Sequence, residues 1–237
     1  MVAAVAATVI SSTAFAGPGF RLSSKAPLYH PPKAHAAYAF GYGGVDTGAN
    51  YDTTGAFDED WFAPGDPFDP SGFPVNFDLD TGWTAGGGAG IYSAFLGGSR
   101  FEIEGSFTKN EVGHLNYAGF ALPANFDIKT KAVFFNLLKE VPLGHAIGYF
   151  GGGAGYASTT MEGDIDTILY DDSDDGFAWQ LIAGVDFPIT ESLAFFTQYR
   201  YMVLSDQSFT TDFGDFTLST DDNPSSHAVL FGARVSF

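Results

Sequence analysis

The amino-acid sequence predicts an all-β protein, an eight-stranded antiparallel up-and-down transmembrane β-barrel. Three observations lead to this prediction. The 237 residues include 30 Gly, 25 Phe and 11 Tyr but only 16% charged residues. Segments of about ten residues alternate with connections that are in turn long and short, as expected of membrane-spanning strands of ~9–11 residues. Within several segments, apolar and polar residues alternate with the period of two that a β-strand requires.

Composition excludes several classes of function. Ten Lys and Arg stand against 28 Asp and Glu, a formal net charge of −18, whereas binding to nucleic-acid phosphates needs clustered basic residues. Without Cys the chain has no disulfide scaffold, Cys-ligated zinc, iron–sulfur cluster or thiol nucleophile. The aromatic content is too high for a disordered acidic chain, and no uncharged apolar run reaches the ~18 residues of a spanning helix. We therefore expect neither a nucleic-acid partner nor a cofactor.

The N-terminal segment predicts export. Residues 1–16 are small and apolar and end in the A-x-A motif Ala14-Phe15-Ala16, which is typical of signal-peptide cleavage. No charge precedes Arg21, so the n-region of this signal peptide is atypical or truncated. The alternative is an Ala-rich first helix of a soluble domain. Residues 17–35, which lack apolar periodicity, are predicted to form a short periplasmic lead-in.

The barrel domain is predicted to cover residues 36–237. Its eight strands are assigned to residues 36–45, 82–95, 99–108, 126–141, 146–157, 177–187, 193–205 and 227–237. Long loops are assigned near 46–81, 109–125, 158–176 and 206–226, and the three remaining connections are short turns. In outer-membrane barrels the short turns face the periplasm and the long loops face outward, which gives every predicted strand its direction.

The strand at 99–108 shows the alternation clearly. Phe101, Ile103 and Phe107 share one face, and Glu102 and Glu104 share the other. We expect the larger apolar face to meet lipid and the small or polar face to fill a narrow lumen. A soluble β-sandwich or lipocalin-like barrel is the alternative. It would carry charged residues on its strands, whereas most of the 28 acids here fall in the long connections.

Six segments resemble strands of one known family. They are FEIEGSF at 101–107, VFFNLL at 133–138, YFGGGAGY at 149–156, FAWQLIAGV at 177–185, QYRY at 198–201 and HAVLFGARVSF at 227–237. Their order and spacing are similar to those of the small outer-membrane β-barrel proteins of the opacity and OmpA-type group, without a peptidoglycan-binding domain. The resemblance implies a cell-envelope surface protein in the outer membrane of a Gram-negative-type bacterium, surrounded by outer-membrane lipid.

The final residue adds to the resemblance. An aromatic residue that closes an alternating strand, here Phe237, resembles the signal read by the outer-membrane assembly machinery. An exposed terminal strand edge can pair with an edge of that machinery by β-augmentation. The simpler interpretation is a chain-end aromatic residue with no such role.

Six polar residues are predicted to form a network in the lumen. They are Glu102, Glu104, Asn136, Gln198, Arg200 and Arg234. Tyr199 and Tyr201 flank Arg200 on the lipid side, so its guanidinium must point inward. Charges in a narrow interior cost several kcal/mol unless they are paired, so we expect a carboxylate–guanidinium plug in which Arg200 bridges Glu102 and Glu104. A transport route lined by the same residues is the alternative.

Catalysis and metal binding are weakly indicated. The five histidines are His30, His35, His114, His145 and His227. Ser225 and His227 share a strand face with two aspartates close by at 221–222, an arrangement that a lipid-modifying enzyme of the outer membrane could use. A histidine at the membrane interface is the commoner interpretation of such a position. We therefore predict no catalytic site and no metal centre.

The acidic connections suggest contacts outside the cell. Residues 171–176 begin like a calcium-binding loop, yet Ile182 stands where a bidentate Glu is needed, so only weak binding of divalent cations is expected. The 46–81 connection mixes Pro and aromatic residues with its acids and is predicted to cover the barrel mouth or to bind an extracellular ligand.

These features together predict a non-enzymatic outer-membrane protein with a structural or surface-interaction role, as an adhesin or a contributor to envelope integrity. The first alternative is a small gated cation-preferring pore, because the predicted lumen contains charged side chains. The second is an outer-membrane lipid-modifying enzyme that uses Ser225 and His227.

Overall fold

A computed structural model describes residues 37–47, 51–57, 73–77, 81–93, 97–117, 120–165, 168–205, 207–212 and 216–237. The strands in these ranges are β1 (Ala37–Asp46), β2 (Tyr51–Phe57), β3 (Phe73–Phe77), β4 (Gly82–Ser93), β5 (Ser99–Tyr117), β6 (Phe120–Leu143), β7 (Ala146–Ile165), β8 (Ile168–Pro188), β9 (Leu193–Leu204), β10 (Gln207–Asp212), β11 (Phe216–Asp222) and β12 (Ser225–Ser236). The predicted signal peptide and lead-in lie outside the described residues. No helix in the described ranges is long and apolar enough to cross a membrane.

Eight of the strands close a barrel. Around the ring, each strand runs antiparallel to its neighbours in the order β1, β4, β5, β6, β7, β8, β9 and β12, and β12 pairs with β1 to complete the circle. Barrel strands that follow one another along the chain are neighbours in the ring, which is the up-and-down arrangement. The predicted all-β, eight-stranded antiparallel barrel is confirmed.

The two faces of the barrel wall follow the predicted alternation. Along β6, Val133, Phe135 and Leu137 are more than half exposed, whereas Phe134 and Asn136 between them are buried. A soluble barrel has the reverse distribution, with its large apolar side chains inside and its polar ones in water. The exterior of this barrel is therefore suited to the hydrocarbon of a membrane, and the soluble alternative does not fit.

Short turns join the strands at one end of the barrel. Gly97 and Gly98, between β4 and β5, have φ angles of 66° and 79°, and Gly144, between β6 and β7, has a φ of 74°. Residues with a side chain rarely adopt positive φ, so glycine permits such tight connections. In the turn between β8 and β9, the N–H of Leu193 donates to Oγ1 of Thr190 over 3.0 Å.

The long connections contain strands where the sequence predicted loops. β5 and β6 pair as one hairpin up to Tyr117 opposite Phe120, and β7 and β8 pair up to Ile165 opposite Ile168. Next to the extended β5, the sheet continues through β3, β2, β11 and β10. Paired strands satisfy each other's backbone hydrogen-bonding groups, which a long irregular connection leaves without regular partners. The sheet therefore continues beyond the barrel on this side.

Candidate functional site

Polar side chains cross the barrel lumen at two levels. The central cluster consists of Tyr42, Glu104, Asn136, Gln180 and Arg200, and the turn-side cluster, nearer the short turns, consists of Arg100, Glu102, Glu140, Asp186 and Arg234. Nine of these ten side chains are buried, and Glu140 is half-buried. Successive side chains of a strand point to opposite faces. Each of these residues therefore points into the lumen, since its neighbours along the strand face lipid.

In the central cluster, the Glu104 carboxylate accepts four hydrogen bonds. Asn136 Nδ2 donates to Oε2 over 2.6 Å, and Gln180 Nε2 donates to the same oxygen over 3.3 Å. The Tyr42 hydroxyl and Arg200 Nη2 both donate to Oε1. Glu104 belongs to β5 and Arg200 to β9, which are four positions apart in a ring of eight strands. This ion pair therefore spans the full width of the lumen.

In the turn-side cluster, two arginines share one carboxylate. Asp186 Oδ2 accepts a hydrogen bond from Arg100 Nη2 at 2.5 Å and another from Arg234 Nη1. Arg100 Nε also donates to Glu140 Oε1 over 2.6 Å, and Arg234 Nη2 lies 3.5 Å from Glu102 Oε1. Arg100 Nη1, Arg234 Nε and Asp186 Oδ1 are buried without a hydrogen-bond partner among the described residues. The cluster joins four strands across the lumen but leaves some polar atoms unpaired.

Four tyrosines that the sequence reasoning missed surround these charges. They are Tyr38, Tyr42, Tyr92 and Tyr149, and all four are buried. The guanidinium carbon of Arg100 lies 4.7 Å from the ring centre of Tyr149, and that of Arg200 lies 4.9 Å from the ring centre of Tyr42. Both distances are within the range of cation–π attraction. Aromatic rings and ion pairs together fill the lumen.

Glycines on neighbouring strands make room for these rings. Gly90 lies opposite Tyr38, and a Cβ added there would be 2.4 Å from Tyr38 Cζ. Gly184 lies opposite Tyr149, and a Cβ added there would be 2.4 Å from Tyr149 Cζ. Glycine on the inward face of a strand is the sequence signal for such space, whereas the tyrosine that fills it is set by the register of the neighbouring strands.

All six residues predicted for the lumen network lie inside the barrel. The central cluster contains Glu104, Asn136 and Arg200, the turn-side cluster contains Glu102 and Arg234, and Gln198 accepts a hydrogen bond from Tyr149 over 3.1 Å. The predicted bridge was wrong, because Arg200 pairs with Glu104, whereas Glu102 contacts Arg234. Successive inward positions on a strand are ~6.6 Å apart, so each carboxylate lies level with a different arginine.

The predicted Ser–His pair lies on the outer wall, at the end of the barrel with the long connections. The Tyr199 hydroxyl lies 2.7 Å from Nδ1 of His227, and the ring of Tyr201 packs against the imidazole with centres 5.0 Å apart. A phenol rather than a carboxylate therefore orients the imidazole of His227. The side chains of 221–222 lie outside the described residues.

Weak binding of divalent cations at the acidic segments stays a prediction, and so does the lack of a metal centre. In the part of the chain that the structure describes, no group of three or more His, Asp or Glu residues is arranged to hold a metal ion. The side chains at 171–172, in the acidic calcium-like segment, lie outside that part. His145 is exposed in the turn between β6 and β7, and the side chains of His30, His35 and His114 are not described.

The C-terminal residue lies at the end of the barrel with the short turns. Phe237 is 78% exposed, and its N–H donates to the carbonyl oxygen of Ala37 over 3.0 Å, so the pairing of β12 with β1 continues to the last residue. An assembly signal at Phe237 remains a prediction.

The outer wall carries ion pairs at the other end. Lys109 Nζ lies 2.9 Å from a carboxylate oxygen of Asp127 and 3.3 Å from one of Glu111, and Lys129 Nζ lies 2.6 Å from one of Glu162. These side chains are only partly covered. The hydrogen bond with Asp127 raises the pKa of Lys109 above its ordinary value.

Comparison with known proteins gives one family that matches nearly the whole chain. The family described as outer membrane protein beta-barrel domain matches residues 3–237. No curated protein matches the chain. Among solved structures, the outer membrane protein OprG from Pseudomonas aeruginosa is similar at 16% identity and a TM-score of 0.55, with 86% of this chain and 97% of that chain covered.

Two further solved structures are similar at lower TM-scores. Neisserial surface protein A is 13% identical with a TM-score of 0.46, and 85% of this chain and 99% of that chain are covered. The outer membrane protease OmpT from Escherichia coli is 7% identical with a TM-score of 0.46, and 84% of this chain and 97% of that chain are covered.

Proposed function

The chain belongs to the family of outer-membrane protein β-barrel domains, and we propose that it is a non-enzymatic protein with a structural or surface-interaction role. Its location is the outer membrane of a Gram-negative-type bacterium. In this proposal, the lumen is closed by its own side chains. The acidic segments outside the membrane bind an extracellular ligand, as in an adhesin, or support the integrity of the envelope.

The observation that carries this proposal is the ion pair between Arg200 and Glu104 across the lumen. Their side chains are 4% and 1% exposed. The side chains of Tyr42, Asn136 and Gln180 donate three further hydrogen bonds to the same carboxylate. The interior of an eight-stranded barrel is just wide enough for side chains to fill. A cross-section occupied in this way supports a closed barrel over a conducting one.

The charge distribution supports the surface role. Most of the 28 acids fall in the segments that join the barrel strands on the side of the long connections. Carboxylates concentrated on one side of a protein attract cationic partners and divalent cations. We therefore expect the extracellular ligand to be cationic, with weak binding of divalent cations at the same segments.

The orientation of His227 supports a non-enzymatic role. Its Nδ1 pairs with the hydroxyl of Tyr199, whereas a Ser–His nucleophile relies on a carboxylate at that nitrogen. Mass spectrometry of lipid A from cells that produce the wild type or Ser225→Ala tests this part. Identical lipid A from both is expected, and a modification lost only in Ser225→Ala would contradict it.

Planar-bilayer recordings test the closed lumen. The purified wild type is expected to give no discrete conductance steps, because charged and aromatic side chains occupy the cross-section. The double variant Arg200→Ala, Glu104→Ala removes the central ion pair and serves as the control that should conduct. Regular conductance steps from the wild type would contradict a closed barrel.

Adhesion of intact cells tests the surface role. Changing Asp212, Asp215, Asp221 and Asp222 to Asn is expected to reduce attachment to polylysine-coated surfaces, because it removes negative charge from one connection. The same positions changed to Glu keep the charge and are the control. Equal attachment and equal detergent resistance of all three strains would argue against a surface role for this segment.

A gated cation-preferring pore is the second candidate function. It is favoured by buried polar atoms along the lumen that have no hydrogen-bond partner among the described residues, including Arg200 Nε and Gln180 Oε1. The described clusters also contain more carboxylates than guanidinium groups. If the wild type conducts, its reversal potential in a salt gradient should show preference for cations under this candidate.

A further inference from the structure

The outer wall carries a groove that the proposed function does not use. The groove has a volume of about 530 Å³ and lies on β8, β9 and β12. Its lining includes Leu181, Ala183, Tyr199, Tyr201, Ser225 and His227. The volume lies within the ~300–1,000 Å³ of small-molecule sites, so the groove could hold a sizeable part of a ligand.

The strand register explains the depth of the groove. Ala183 lies opposite Tyr199, and Leu181 lies opposite Tyr201, so a small side chain separates larger ones on the same wall. Exposed side chains of β8 and β12 continue the apolar surface around it, with Phe231 62% exposed. The groove therefore opens toward the hydrocarbon of the membrane rather than toward water.

The end of the groove nearest the long connections is polar. The Tyr199 hydroxyl is paired with Nδ1 of His227, which leaves Nε2 as the imidazole atom that a ligand can use. Ser225 lies two residues earlier on the same face of β12 and adds a hydroxyl. The groove thus has a hydrogen-bonding end and an apolar part along the wall. These two parts match the polar and apolar parts of an amphipathic ligand that lies upright in one leaflet of the membrane.

We propose that this groove binds one acyl chain of a lipid A molecule in the outer leaflet. The methylenes of the chain pack against Leu181, Ala183 and the Tyr199 ring. Its ester or amide linkage forms hydrogen bonds with His227 Nε2 and the Ser225 hydroxyl.

The position and chemistry of the polar end select this occupant. The groove opens into the membrane at the end with the long connections, which is the level of the outer leaflet, where lipid A resides. The groove lining contains no Lys or Arg among the described residues, so it favours the uncharged linkage of the chain over a phosphate. This site is independent of whether the lumen conducts.

Native mass spectrometry of the protein extracted from outer membranes tests the proposal. The wild type is expected to retain one lipid A molecule at low detergent. Ala183→Leu fills the groove and should reduce the retained fraction by a factor of about 10 or more. Ala89→Leu is the matched control, because Ala89 is an exposed alanine on β4, at the opposite side of the ring from β8.

A second variant separates binding from folding. His227→Ala leaves the apolar part of the groove intact and should also reduce lipid A retention, while heat-modifiability gels show all variants folded. Retention that is equal in Ala183→Leu, His227→Ala and Ala89→Leu would overturn the proposal. Retention of phospholipid in place of lipid A would overturn it as well.

Discussion

Two ion pairs on the same strand show how differently this protein uses charge inside and outside its wall. Glu104 and Lys109 both belong to β5, and each meets an opposite charge on another strand. The Arg200–Glu104 pair is 4% and 1% exposed, whereas the Lys109–Asp127 pair is 26% and 38% exposed. Two positions five residues apart on one strand thus form a buried ion pair and a partly exposed one.

Loss of a partner matters more in the lumen than on the outer wall. An unpaired charge in the lumen stays buried, so most of its desolvation cost remains after the partner is removed. An unpaired charge on the outer wall returns to water. The net contribution of an ion pair there is small and is screened by salt. The lumen clusters are therefore expected to dominate the electrostatic contribution to stability.

The largest effect is expected from Arg200→Ala. It leaves Glu104 buried without its cation and should lower the free energy of unfolding by about 3–5 kcal/mol. Urea titration in detergent micelles, followed by heat-modifiability gels, measures it. In a double-mutant cycle with Glu104→Gln, the coupling should exceed ~0.5 kcal/mol, and additive effects would mean that the two groups do not interact.

A charge placed on the lipid face extends the comparison to the membrane. Phe231→Arg puts an unpaired guanidinium on the exposed wall of β12 and should cost about 2–4 kcal/mol near the midplane. Folding yield into lipid vesicles measures it, with Phe231→Leu as the apolar control. Equal yields for both variants would show that Phe231 does not contact hydrocarbon.

Packing inside the lumen gives the third effect. Gly184→Ser adds a side chain that points inward, where a Cβ would lie 2.4 Å from Tyr149 Cζ and 2.7 Å from the carbonyl oxygen of Thr197. We expect a loss of about 1–3 kcal/mol. Gly105→Ser is the control, because a Cβ at Gly105 has nothing within 4 Å. Equal stability of the two serine variants in urea would contradict the packing around Tyr149.

The smallest effect is expected from Lys109→Gln on the outer wall. The urea midpoint of unfolding at neutral pH should not change measurably. The raised pKa of Lys109 has Asp127 as its main cause, so the contribution of the pair is present at neutral pH and is lost as pH rises through that pKa. In NMR titrations, Asp127→Asn should lower the titration midpoint of Lys109. If Lys109→Gln destabilised the protein as much as Arg200→Ala, the inner and outer ion pairs would not differ as described.

The wall of this barrel follows from patterns within single strands of the sequence. Alternation such as Phe101, Glu102 and Ile103 specifies which face of a strand meets lipid, because successive side chains of a strand point to opposite sides. Glycines at 97–98 and 144 mark tight turns because they adopt positive φ. The inward direction of Arg200 followed from its two tyrosine neighbours in the same way. These features depend on local geometry, which one strand contains in full.

Which groups meet across the lumen and along the wall depends instead on how the strands assemble. That Arg200 pairs with Glu104, and Arg234 with Glu102, depends on the tilt and stagger of strands that are far apart in sequence. The fit of Tyr149 above Gly184 and the groove beside His227 depend on the register between neighbouring strands. The strands in the long connections also form by pairing with distant partners. Such contacts arise from closure of the ring, and a period-two pattern holds no information about closure.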